Sequence, residues 1–405
     1  MKRWPITRIL LVVVFGAGTA LAGGLGLFGK QKRAEPAAEP VVVPEPVPPP
    51  EPQVPAAAPL FPDGLPVSLQ QTPAGLSSLS AQGCNACHFQ AHDDWSGTAH
   101  ATAWNDPAFQ DAIARVGGST ACQGCHLPLT NQHPHMAAGY VGGDVARPDL
   151  QPNAQWDPTL MSEGVTCASC HVRDGKVLST RPVLDAPHPM AVSEELATSE
   201  ACATCHQLTW PEADQPFYDT FGEWQRSAYS DAGVRCQDCH MPPTAGVAVA
   251  SRYATQAGHA FEANTARAVS LFVELTEPAI VRGEDFAYTV RIQNTGAGHS
   301  FPTGSPFKTY RVRAQLLGTH PKDLGKPLAE ATTLDLARVV EDAPPWKTVS
   351  DNRIPAGGEA TFDGTFNVNQ RKQSQRALLR VEVRAVVEGA EGEALITQEI
   401  PVQVL

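Results

Sequence analysis

A five-residue pattern, Cys-x-x-Cys-His, occurs five times and uses every cysteine in the chain: CNACH at Cys84, CQGCH at Cys122, CASCH at Cys167, CATCH at Cys202 and CQDCH at Cys236. Ten cysteines in an exported chain ordinarily read as disulfides. The spacing points elsewhere. Two cysteines one helical turn apart aim both thiols the same way, at a separation suited to thioether bonds with the two vinyl groups of haem. The histidine that follows becomes the proximal iron ligand. A zinc site or a redox dithiol would use the cysteines and leave the fifth residue unexplained. With 13 histidines in 405 residues, chance would follow all five pairs with histidine at odds on the order of 10⁻⁸ to 10⁻⁷. The expected cofactors are therefore five covalently bound haem c groups. They attach at Cys84 and Cys87, Cys122 and Cys125, Cys167 and Cys170, Cys202 and Cys205, and Cys236 and Cys239, with His88, His126, His171, His206 and His240 as proximal ligands.

The motifs begin 38, 45, 35 and 34 residues apart. That is too close for five separate cytochrome domains, whose lower limit is about 50 residues each. One packed array is implied, in which macrocycle edges lie near one another. Residues 67–265 hold all the cysteines and 11 of the 13 histidines, with long stretches lacking helical or strand periodicity. Large apolar macrocycles would replace the side-chain core that this region lacks. From residue 266 the texture changes to alternation, as in Phe286, Tyr288, Val290, Ile292, then Tyr310, Val312, Ala314, Leu316, then Leu379, Val381, Val383, Ala385, Val387. Period 2 marks half-buried strands. The expected fold is an α plus irregular multihaem domain with little regular secondary structure (67–265), followed by an all-β immunoglobulin-like sandwich (266–405).

Ahead of these, Lys2, Arg3 and Arg8 precede an apolar stretch from Ile9 to Phe28, an export signal that approaches the ~20 residues needed to span a bilayer. Residues 1–33 are read as a retained signal anchor and transmembrane helix, with cleavage after Ala20-Leu21-Ala22 as the alternative. Residues 34–66 carry 12 prolines, five acidic residues and no basic one, the composition of a semi-rigid polyproline spacer reaching roughly 100 Å when extended. The expected location is the periplasmic side of the inner membrane, or the soluble periplasm if the signal is cleaved.

Charge narrows the partners. The whole chain carries −12, which excludes a nucleic-acid binder, since such proteins need clustered cations. The cysteine-rich region has 8 Lys+Arg against 20 Asp+Glu, whereas residues 266–405 have 16 against 17. An acidic haem-bearing face predicts basic redox partner proteins.

Eight histidines lie outside the motifs: His92, His100, His133, His135, His188, His259, His299 and His320. Five are enough to close every haem with a second axial nitrogen. A haem with two strong ligands carries electrons; one with a vacant position permits ligand chemistry. There is also an internal echo. Trp95-Ser96-Gly97-Thr98-Ala99-His100 and Trp224-Gln225-Arg226-Ser227-Ala228-Tyr229 share a frame, each ahead of a Cys-x-x-Cys-His motif. It suggests a duplicated haem-binding unit, with Tyr229, read as packing, where the first copy has His100.

Over roughly residues 80–310 the chain resembles multihaem c-type cytochromes related to tetrahaem electron carriers and hydroxylamine oxidoreductases. The likeness is carried by Trp95–His100, CQGCHLPLTNQHP from Cys122, EGVTCASCHVRDGKVL from Glu163, EWQRSAYSDAGVRCQDCHMP from Glu223, GHAFEANTARAVSLFVEL from Gly258 and NTGAGHSFPTGSP from Asn294. The resemblance implies that His100, His188, His259 and His299 are distal ligands, and that His299 reaches back to the haems from the strand-rich region. His133 or His135 is then the fifth; His92 and His320 are bystanders. Two departures argue against a borrowed activity: no Cys-x-x-Cys-Lys of the related nitrite reductases occurs, and no tyrosine matches the one linked to the hydroxylamine oxidoreductase haem. The leading expectation is a membrane-tethered electron-transfer protein and not an enzyme. The alternative is an oxidoreductase acting on a small nitrogen or sulfur compound at a haem with an open distal site.

Overall fold

In the computed structural model the chain changes character near residue 269. The structure describes residues 59–405 apart from 63, 116–119, 144–147, 184, 211, 246–254, 264 and 388. The N-terminal transmembrane helix and most of the spacer expected from the sequence lie outside the described residues; within them, no helix is long and apolar enough to cross a membrane.

Up to residue 268 the described helices are short, four to nine residues each, joined by loops and small two- and three-stranded ladders. Five of these helices end in or contain a haem motif: Ala81–Asn85, Thr120–His126, Cys167–His171, Glu200–His206 and Cys236–His240. Two small apolar clusters support them. One joins Val67, Leu79, Leu129, Leu160, Ala168 and Val172, and the other Leu60, Leu178 and Ala191.

The spacer needs a correction at its end. From Pro59 the chain belongs to the packed body: Leu60 is fully buried, its N–H donates to the Glu195 carboxylate (3.0 Å) and its carbonyl accepts from the Arg173 guanidinium. Proline content marked this segment as extended, but Leu60 and Phe61 carry enough apolar surface to dock. Arg173, itself buried, also donates to the Ala168, Ser169 and Val172 carbonyls. A cation thereby satisfies the carbonyl end of the third motif's helix.

The strand region forms two sheets. Its strands are β1 (Val269–Leu275), β2 (Ala279–Ile280), β3 (Asp285–Asn294), β4 (Thr309–Gly318), β5 (Thr332–Val340), β6 (Thr348–Asp351), β7 (Glu359–Asn367), β8 (Arg376–Val387) and β9 (Ala390–Val404). One sheet has the order β7-β3-β1 and the other β6-β5-β4-β8-β9-β2, antiparallel except where β9 meets β2. Both contribute to one apolar core, the arrangement of a sandwich. Alternation places Phe286, Tyr288, Val290 and Ile292 of β3, Val312, Ala314 and Leu316 of β4, and Leu379, Val381 and Val383 of β8 inside. The pattern lapses at the end of β8, where Ala385 is half-buried and Val387 exposed. Register shifts after Val383 and Arg384 rotate the strand out of phase there.

Candidate haem-attachment site

Within each motif the two cysteines sit about a helical turn apart and the histidine closes the turn. His88 of the first motif differs slightly, since it caps the following helix, Phe89–Ser96. What prepares these imidazoles is their backbone environment. Nδ1 of His126 meets the Ala103 carbonyl (2.6 Å), His171 that of Leu178 (2.9 Å), His240 that of Glu262 (2.5 Å), His259 that of Ala257 (2.9 Å) and His299 that of Ser300 (3.0 Å). A carbonyl oxygen only accepts, so Nδ1 carries the proton and Nε2 keeps its lone pair. This is the second-sphere bond that orients a ligating histidine.

The rings then come in opposed pairs. His100 and His206 have centroids 6.2 Å apart, His171 and His259 6.1 Å, and His240 and His299 6.2 Å. A metal about 2 Å from each of two imidazole nitrogens holds the ring centroids roughly 6 Å apart. His88 lies within electrostatic reach of His188 and His171; burial first, and then these rings, push its pKa down. His206 and His259 are both pushed down to about 4, chiefly by burial. Near neutrality they are uncharged, as metal binding requires. His206 is nonetheless solvent-accessible as a residue. On donor type, tautomer and spacing, the residues fit haem c.

The second motif stands apart. The His126 ring lies flat against Phe109, centroids 3.5 Å apart and planes 7° from parallel. Of the two histidines expected as the fifth distal ligand, His133 has Nε2 committed to the Leu127 carbonyl (2.8 Å), and His135 stands exposed in the hairpin strand His135–Tyr140. Tyr218, which the sequence did not single out, is close to both Cys122 and Cys125; burial and then these thiols push its hydroxyl up to about 12. His92 packs on Trp95, and His320 lies in a sandwich turn, where its Nδ1 accepts from Lys322.

Thiol contacts give the order of neighbours. The thiol of Cys84 interacts with that of Cys167, Cys202 with Cys236 and Cys125 with Cys205, while Cys170 acts electrostatically on Cys202 and Cys205. The first motif thus adjoins the third, the third the fourth, and the fourth both the fifth and the second. Cys87 and Cys239 are exposed, which marks the first and fifth motifs as outer ends.

The tryptophan echo is structural. Trp95 Nε1 donates to the Val165 carbonyl (2.9 Å) and Trp224 Nε1 to that of Val234 (2.8 Å). Each carbonyl lies two residues before a motif. Val165 N–H donates to the His100 carbonyl and Val234 N–H to that of Tyr229, both at 2.9 Å. Thr98 and Ser227 hydroxyls donate to the carbonyl of their own tryptophan, each at 2.7 Å. Before each valine stands a glycine in the left-handed region, Gly164 (φ 59°) and Gly233 (φ 73°). A Cβ on Gly164 would come within 2.7 Å of the His100 carbonyl oxygen, so only glycine fits there.

The fold and these contacts describe a body built like a multihaem cytochrome. No family model and no curated protein matches the chain. Among solved structures, a penta-heme cytochrome c552 from Thermochromatium tepidum superposes with a TM-score of 0.57 at 18% identity, covering 82% of this chain and 100% of that chain. That likeness establishes the fold as multihaem cytochrome c-like. A CARDB domain from Pyrococcus furiosus covers 34% of this chain and 87% of that one at 12% identity, but its TM-score of 0.19 carries no argument.

Proposed function

We propose that this chain is a pentahaem c-type cytochrome that transfers electrons, tethered by residues 9–28 to the periplasmic side of the inner membrane, or soluble in the periplasm if the signal is cleaved. The observation that carries the reading is the set of three opposed imidazole pairs at 6.1–6.2 Å, in all of which at least one ring is anchored through Nδ1 or held neutral by burial. Haem c, when bound, supplies one-electron exchange. The residues of this chain supply the rest. Ten thiols would fix the groups, the histidines of the pairs His88/His188, His171/His259, His206/His100 and His240/His299 would hold four irons, and the acidic surface would select basic partners. The donor is expected at the membrane and the acceptor among periplasmic proteins.

A second reading applies to the second motif alone. Phe109 covers the face of the His126 ring and not its Nε2 direction, while of the two histidines expected as the fifth distal ligand His133 has its Nε2 occupied and His135 is exposed. This favours an open position there, where a small nitrogen or sulfur compound would bind. Intact mass of the exported protein tests the cofactor: five haem additions are expected, lowered by one in Cys202→Ala/Cys205→Ser. A wild-type mass with no haem addition refutes the proposal.

A further inference from the structure

His299 is the one proposed ligand that belongs to the sandwich, in the loop that follows β3. Its placement cannot come from the haem-motif region's own backbone, so something must hold the two parts in register. The side chain that does this is Glu223, in the helix Thr220–Gln225, only 7% exposed. One carboxylate oxygen accepts from Ser300 N–H (3.1 Å) and the Thr303 hydroxyl (2.6 Å), and the other accepts from the Arg353 guanidinium (2.7 Å). Arg353, 12% exposed, is steadied by Asp351 on its far side. Ser300 is the key link, because its N–H is held by Glu223 while its carbonyl receives Nδ1 of His299.

The rest of the loop is fixed from within the sandwich. Buried Asn294 donates to the carbonyls of His299 (2.8 Å) and Ile354 (3.0 Å) and accepts from Ala297 N–H (3.1 Å). Gly298 lies against Trp224 and Tyr229, where a Cβ would come within 3.2–3.3 Å of their side chains. Tyr229 donates to the Thr295 carbonyl (2.9 Å). The second tryptophan unit is therefore the seat on which the His299 loop rests.

We propose that the Glu223–Arg353 pair is a coordination latch: it positions His299 as the sixth ligand at the fifth motif's iron, so that the sandwich governs whether that haem stays closed. The inference rests on the reading of His299 as an axial ligand. Without the Glu223 charge, Arg353 keeps only Asp351 on its own side, the ion pair that crosses between the two parts is lost, and the contact between them weakens. The His299 loop then loses its anchor while His240 keeps its own bond to Glu262.

The test uses the full haem-loaded protein, with electron paramagnetic resonance of the oxidised form and carbon monoxide titration of the reduced form. His299→Ala is the reference, expected to convert one haem from low to high spin and to raise carbon monoxide binding by one equivalent over wild type. Glu223→Gln is expected to give the same new signature, at least tenfold above the wild-type background, with the other haem signals and the far-ultraviolet circular dichroism unchanged. Thr303→Val, which keeps shape and removes the hydroxyl's bonds to Glu223 and Thr220, is expected to show the same change in smaller proportion, and it decides the matter if Glu223→Gln does not fold. If His299→Ala converts a haem while folded Glu223→Gln, or Thr303→Val in its place, leaves every haem as in wild type, the latch is wrong. If His299→Ala converts none, the ligand assignment itself is wrong.

Discussion

The Trp95 unit and the Trp224 unit share a hydrogen-bond plan, yet one contributes a candidate iron ligand and the other does not. In the first, the indole spans 70 residues to reach Val165; in the second it spans 10 to reach Val234. The extra chain in the first unit holds the whole second motif, Cys122–His126. Without that insertion the two units match: first and third motifs joined by Cys84 and Cys167, fourth and fifth by Cys202 and Cys236. The chain thus holds two units of one hydrogen-bond plan, each flanked by two Cys-x-x-Cys-His motifs, with the second motif lying inside the first unit. The inserted site is the one whose histidine faces a phenylalanine. The other divergence is His100 against Tyr229. His100 faces His206 of the other unit, whereas Tyr229 has become a strut to the sandwich.

This comparison breaks most readily at position 100. His100→Ala is expected to turn the fourth motif's haem high-spin, visible as a new ferric signal and an added carbon monoxide equivalent; an unchanged spectrum would mean that the two units do not differ in ligation. Tyr229→Phe, by contrast, removes one hydroxyl-to-carbonyl bond, worth about 1 kcal/mol, and is expected to lower the urea midpoint slightly without any change of spin state.

Much of this was legible in the sequence because haem attachment is written in side chains. The motifs, the echo of Trp95 and Trp224 and the alternation of Phe286 to Ile292 rest on residue type and spacing, whereas the reach of His299 from the strand region was implied by the resemblance to multihaem cytochromes. The structure adds what spacing cannot carry. The carbonyls of Ala103, Leu178, Ala257 and Glu262 that orient imidazoles belong to the backbone, which every residue shares. Phe109 at His126 is an ordinary apolar helix residue until the Thr120–His126 helix folds against it. Glu223 lay within a stretch already noticed, but its role depends on Ser300 and Arg353, far away in the chain. The pull of Leu60 into the body was hidden by the prolines around it, and the status of the second motif as an insertion emerged only once the two indoles were seen to make the same bond.

The central proposal is that His171, His206 and His240, each opposite another histidine, and His88 with His188 belong to doubly ligated irons, and that His126 does not. Low-temperature electron paramagnetic resonance on fully oxidised, haem-counted protein reads this directly, since spin state reports whether an iron has two strong ligands. The account predicts four low-spin ferric haems and one high-spin haem, the latter abolished when the second motif's cysteines are replaced. Five low-spin haems would contradict it and return a histidine, His133 or His135, to the face opposite His126.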